Sequence, residues 1–208
     1  MYNLLALIFG EPYWAAHSFL VRIILLAKGI RVGKRFRIYG TPYLKIRGKA
    51  SNISIGDGVF IGGNIDLRNR EDGSIVIEDN AVIDDNCRFV AANKALLRIG
   101  RGTKIGRDCI FNCGEDVTLG EKCILAGMGY VNSSEHTLYK ASHVRDQGFD
   151  HAPIVIEDGV FIGGCVSIKK GITIGKGAVV GANSVVTKDL PEYSVNVGVP
   201  ARTIKYRK

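Results

Sequence analysis

Aliphatic residues recur every six positions along most of the chain. They fall at Ile55, Ile61 and Leu67, at Ile77, Ile83 and Phe89, at Ile99, Ile105 and Phe111, at Leu119, Leu125 and Val131, and then without a break at Ile156, Ile162, Ile168, Ile174, Val180 and Val186. A weaker set, Val32, Ile38 and Leu44, starts the pattern. No straight element gives this period, because a helix puts residues six apart on different faces and a flat strand alternates every second residue. A strand that turns a corner every six residues does give it. One apolar side chain per hexad then points to a common axis, and three hexads close a triangle. Ile156 to Ile174 spans 18 residues, one such coil, whereas Ile55 to Ile77 and Ile77 to Ile99 each span 22, which predicts a four-residue bulge at a corner. About seven coils are expected, stacked at roughly 4.8 Å.

Four residues after each ladder position the side chains are small or medium: Val59, Ala81, Cys87, Thr103, Cys109, Cys123, Val160, Val166, Ala178 and Ser184. They are expected to pack inward beside the ladder. Composition agrees: 26 glycines against 5 prolines, with 46% hydrophobic residues, describe a globular chain with many tight corners and exclude collagen. The five cysteines are odd in number and lack a CxxC pair, so all five read as reduced, buried thiols in a cytoplasmic protein. The net charge of +8 points to an anionic partner without choosing among them.

Residues 1–30 are apolar but are broken by Glu11, Pro12, His17 and Arg22 into stretches shorter than the roughly 20 residues that cross a bilayer. A helical cap on the open end of the coil, broken at Pro12 and stopped at Gly29, is the first reading. The second has this segment, followed by Arg31, Lys34, Arg35, Arg37, Lys45, Arg47 and Lys49 with no acid before Asp57, docking on an anionic membrane surface. The coil is assigned to 31–191, and a tail at 192–208 folds back over the other end.

One interruption stands out. Between Val131 and Ile156 about 19 residues are inserted, and the resulting loop, 132–153, holds three of the four histidines, His136, His143 and His151. Long loops on rigid scaffolds are commonly functional.

The hexads, the Ser133–His136 run SSEH, the return QGFDHAPIVIEDGVFIGG and the tail IGKGAVVGANSVVTKDLPEYSVNVGVPARTIK together resemble the hexapeptide-repeat acyltransferases, especially the branch that O-acetylates bacterial surface polysaccharides. The resemblance covers residues 30–205. It implies a left-handed parallel β-helix, an exception to the right-handed crossover rule, and acetyl-CoA as co-substrate. By motif, His136 matches the catalytic base that takes a proton from the acceptor hydroxyl as it attacks the thioester, with Glu135 or a backbone carbonyl orienting the ring. Backbone N–H groups at Gly163 and Gly164 would face the oxyanion. Gly163, Gly164, Gly181, Ala182, Thr187, Lys188 and Arg202 match positions along the acyl-CoA groove, and Asn112 matches an acceptor contact. Two departures are Phe161, where the family usually has tryptophan, and Cys165, where a small residue is commoner. A groove between subunits implies a homotrimer.

Other readings remain. The acceptor can be an amine, on an amino-sugar nucleotide or an antibiotic. A zinc site of the hexapeptide carbonic anhydrase type needs histidines spread over coils, whereas here three share one loop, so no metal is expected. A non-catalytic trimeric scaffold keeps the hexads without needing His136. Nucleic-acid binding lacks the interleaved aromatics that stack on bases.

Overall fold

The computed structural model describes residues 4–208. From Arg31 the chain is a parallel β-solenoid with three faces. The first face stacks seven strands, from Arg31–Val32 to Thr173–Ile174; the third also stacks seven, from Pro42–Ile46 to Val185–Val186. The ladder is in register as its spacing requires: Ile55 lies beside Ile77, Ile77 beside Ile99, Ile99 beside Leu119, Leu119 beside Ile156, and Ile156 beside Ile174. Every ladder residue is buried except Leu44, which is partly so, and all ten small positions are buried with them. Phe89 and Phe111 meet edge to face on the axis, 5.1 Å between centroids.

The bulges all fall at one corner, between the third face and the first. In the 22-residue coils the third-face strands lengthen to Ile65–Asn69 and Cys87–Ala91, and the turns 70–73 and 92–95 follow before the first face resumes. The 19-residue insertion enters at this same corner, so the loop stands on an edge that earlier coils have already enlarged.

Cys165 departs from expectation. The other four cysteines are buried, whereas Cys165 is exposed. It lies three residues past Ile162 rather than four, at the apex of the corner between the second and third faces. That apex is in the left-handed region (φ 58°), like Asn86, Asp108, Met128 and Asn183 in the coils around it.

Two helices precede the coil, α1 (Leu4–Phe9) and α2 (Glu11–Ala27). The break between them falls at Gly10 (φ 56°) and not at Pro12. Pro12 sits in the first turn of α2, where its missing N–H costs nothing. Gly29 (φ 86°) ends α2 as expected. This helix lies across the open end of the first coil and satisfies its edge: Ser18 Oγ accepts from the Ile38 amide (2.9 Å), Arg22 Nε donates to the Gly33 carbonyl (2.7 Å), and His17 Nε2 meets the Gly40 carbonyl (2.9 Å). Glu11 holds the helix start through Tyr39 and Arg37, and the Tyr39 hydrogen bond, with Arg37 second, lowers the Glu11 carboxyl below its ordinary range. No described helix is long and apolar enough to cross a membrane.

At the far end the parallel stack runs past residue 191. Ser194–Val197 adds to the second face beside Val179–Val180, and Arg202–Tyr206 returns antiparallel along it.

Candidate active site

The insertion is not an irregular loop. Ser134–His136 and Phe149–His151 pair antiparallel, with Ser134 opposite His151, Glu135 opposite Asp150 and His136 opposite Phe149. Within its tip Gln147 bonds the backbone of Lys140 through both ends of its amide, at 2.9 and 3.0 Å. Two lysines of the next coil's corner tie the hairpin down. Lys170 Nζ donates to Asp150 at 2.8 Å, and Lys169 Nζ lies 3.5 Å from Glu135. The Lys170 hydrogen bond is the main cause that holds the Asp150 carboxyl below its ordinary range, and Asp150 raises Lys170 in return.

His136 is exposed and its ring lies against Phe149, 4.3 Å between centroids. Among the described residues the imidazole makes no hydrogen bond. Glu135 does not orient it, because successive strand residues point to opposite sides and Glu135 is turned toward Lys169.

Asn112 projects from the third face between Phe111 and Cys113, and its amide donates to Asn132 Oδ1 (2.9 Å), which also accepts from the Ser134 amide (3.2 Å). It therefore braces the root of the hairpin.

The residues matched to the acyl-CoA groove divide between two edges. Thr187, Lys188 and the hairpin share the corner between the third and first faces. Gly163, Gly164, Gly181 and Ala182 occupy the corner on the other side of the third face. Arg202 begins the return strand and is exposed. Lys188 is also exposed and forms no ion pair with a described residue. Coil stacking alone demands Gly163, where an added Cβ would lie 2.6 Å from the Ala182 nitrogen, and Gly181, where it would lie 2.7 Å from Val197 Cγ1. Gly164 is different, since its nearest neighbour to such a Cβ is the Gly127 carbonyl at 3.4 Å. The expectation that both N–H groups face an oxyanion needs correction. The Gly163 N–H bonds the Val180 carbonyl (2.8 Å) as part of the coil ladder, which leaves Gly164 as the donor without a partner among the described residues.

A cleft of about 410 Å³ opens beside the hairpin along the enlarged corner, lined by Glu71, Asp72, Asn93, Lys94, Glu115 and His151. Sequence reasoning assigned His151 no role. Its ring is seated against Gly114, where an added Cβ would come within 2.5 Å of Nδ1. The only signal was the glycine of FNCG, placed where the neighbouring coils carry side chains. Gly114→Ala is expected to displace the imidazole and, because the added Cβ would also lie 2.8 Å from Ser134 Cβ, the hairpin strand beside it, costing about 1–3 kcal/mol. Ring resonances of His151 should shift in an NMR spectrum while those of the coil core stay in place.

Among the described residues no three His, Cys, Asp or Glu side chains converge as a metal site.

Fold and site define a class: a three-faced hexapeptide β-helix with a histidine-bearing hairpin inserted at one edge. Residues 153–188 match the model of the hexapeptide repeat of succinyl-transferase. The chain is 31% identical over 175 residues to a Mycobacterium tuberculosis protein named as an acetyltransferase, covering 84% of this chain and 55% of that one. It is 29% identical over 144 residues to the Escherichia coli K12 protein named as a lipopolysaccharide biosynthesis O-acetyl transferase, WbbJ, covering 65% and 74%. Among solved structures it superposes on AntD, an N-acyltransferase from Bacillus cereus in complex with dTDP and 3-hydroxybutyryl-CoA, at a TM-score of 0.58 and 20% identity over 90% of this chain and 88% of that one. It also superposes on the polySia specific acetyltransferase NeuO, at a TM-score of 0.52 and 24% identity over 85% of each. These two likenesses are of fold, and the fold is that of the left-handed β-helix acyltransferases. With 55% and 54% of their lengths matched, the chain spans about half of the Mycobacterium protein and of a Staphylococcus aureus relative also named as an acetyltransferase. The chain is thus similar to hexapeptide-repeat acyltransferases in its repeat, in sequence and in fold.

Proposed function

We propose that the protein is a cytoplasmic acetyltransferase that moves the acetyl group of acetyl-CoA to a sugar hydroxyl in the synthesis of a surface polysaccharide. The observation that carries this reading is the hairpin itself: it holds His136 in the open, backed by Phe149, with its ring nitrogens unengaged by the chain's own described residues. In this reading one nitrogen takes the hydroxyl proton as the oxygen attacks the thioester carbonyl. The tetrahedral oxyanion is met by the Gly164 N–H, and CoA leaves as the thiol. Lys188 and Arg202 face the CoA phosphates, and Thr187 and Ala182 line its path. A relative named for O-acetyl transfer in lipopolysaccharide biosynthesis supports the hydroxyl acceptor, and a structural neighbour that is an N-acyltransferase keeps the amino-sugar alternative in view.

The division of the groove residues between two edges supports a homotrimer. In a closed ring, one chain's hairpin edge meets the glycine edge of the next, and the missing ring acceptor for His136 comes from that neighbour. The test is acceptor screening by mass shift with purified protein and acetyl-CoA, hydroxyl sugars against their amino counterparts, alongside light scattering. Acetylation of hydroxyl sugars by a trimer is expected. Transfer to amino sugars alone overturns the hydroxyl reading, and an active monomer overturns the shared site.

A further inference from the structure

We propose that the helical end of the prism docks on the surface of an anionic bilayer, with α2 lying in the interface and the first coil's cations meeting lipid phosphates. Two independent observations support this. The first is an apolar face with no partner among the described residues. α2 turns Ser18, Val21 and Leu25 into the coil, and both of its internal polar anchors, His17 and Arg22, also face the coil and are used there. What remains outward is uncharged: Leu7 of α1 is 82% exposed, and Phe19, Leu20, Ile23 and Ile24 of α2 are 64%, 57%, 45% and 46% exposed. Scattered apolar residues on a surface are ordinary, but a contiguous face of this kind marks an interaction site.

The second observation is where the charge sits. Residues 12–56 contain nine Lys and Arg and no acid, residues 57–208 contain nineteen of each sign, and Glu11 is the remaining acid, which together give the net +8. The coils that carry the hairpin are electrically balanced, and the whole surplus lies in the cap and the first coil. There Lys28, Arg31, Lys34 and Arg35 are exposed and form no ion pair with a described residue. They follow α2 directly in sequence, on the coil that α2 covers. An apolar helix face bordered by unpaired cations is the arrangement of a helix that lies on an anionic membrane rather than through it. Pairing of this face with a second copy is the competing occupant. It would bury the apolar residues but would bring the two sets of cations toward one another.

Docking is independent of the acceptor chemistry. It would leave the hairpin edge, along the side of the prism, open to a substrate at the membrane. The experiment is flotation of the full chain with vesicles of phosphatidylcholine alone or with 30% phosphatidylglycerol, at 50 and 500 mM salt. Binding only to the anionic vesicles, weakened by salt, is expected. The quadruple variant Lys28→Gln, Arg31→Gln, Lys34→Gln, Arg35→Gln should lose roughly fivefold in partitioning per cation removed. The double variant Leu20→Gln, Ile23→Gln, exposed in the folded chain, should lose at least tenfold while its circular dichroism and melting curve stay unchanged. Failure to float, or equal binding to neutral vesicles, overturns the proposal. If the double variant instead leaves flotation intact and shifts the oligomeric state, the face belongs to a second copy.

Discussion

Asparagine in place of His136 is expected to lower acetyl transfer by about 10²–10⁴-fold, the usual contribution of a positioned base. The readout is release of the CoA thiol at saturating acetyl-CoA with an acceptor found by the screen. The His136 ring lies against Phe149 and makes no hydrogen bond with a described residue, so its removal should leave the melting curve within a degree or two of the parent. The KM for acetyl-CoA should change little, because in this reading the cofactor is held through Thr187, Lys188, Ala182 and Arg202 and not through the imidazole. An unaltered kcat would mean that another group takes the proton, with His151 in the adjoining cleft the first to test, or that the chain is a scaffold.

The largest stability effect is expected at the axis. Phe111 is fully buried and edge-on to Phe89 in the coil below, so Phe111→Ala removes one partner of that pair and opens a void that the surroundings cannot close. The coils on either side are held at strand spacing by backbone hydrogen bonds on three faces, which prevents the collapse that softens such losses in more compliant cores. A cost of about 3–5 kcal/mol is expected, seen as a lower denaturant midpoint at unchanged slope. Leu44→Ala, at the partly buried ladder position, should cost clearly less. Equal losses at the two sites would show that the ladder is not the main source of stability.

The two expectations differ in how they could be reached. Phe111 was legible because a six-residue period is a local property: each coil repeats the same inward direction, so burial follows from counting. The same counting, applied strictly, also separates Cys123 from Cys165, since one lies four residues after a ladder position and the other three. Treating the cysteines by type instead of by register led to the wrong expectation for Cys165. Pro12 is a similar case, because a proline that ends one helix is equally suited to begin the next, and the glycine before it decided which.

The site was legible in part. The hairpin's place in the chain and its histidines were plain from the broken period, and the resemblance singled out His136. Its partners were not, because they come from other coils. Gly114 against His151, Lys170 on Asp150 and Asn112 on Asn132 join residues about 20 or more apart in sequence, and no period predicts which side chains a folded-back insertion meets. The separation of Gly163 from Gly164 was hidden for the same reason, since both are glycines at one corner and only the neighbouring coil shows that the first N–H is spent on the ladder while the second is not.

The sequence by itself determined the prism, its inward ladder, and the point where the repeat breaks, because those depend on a spacing that every coil must obey to bury its apolar side chain. The tertiary structure decided that all the bulges and the hairpin share one edge, that the matched groove residues lie on two, and that a charge-free helix face stands beside unpaired cations, because each depends on how coils stack and what the end of the stack leaves uncovered.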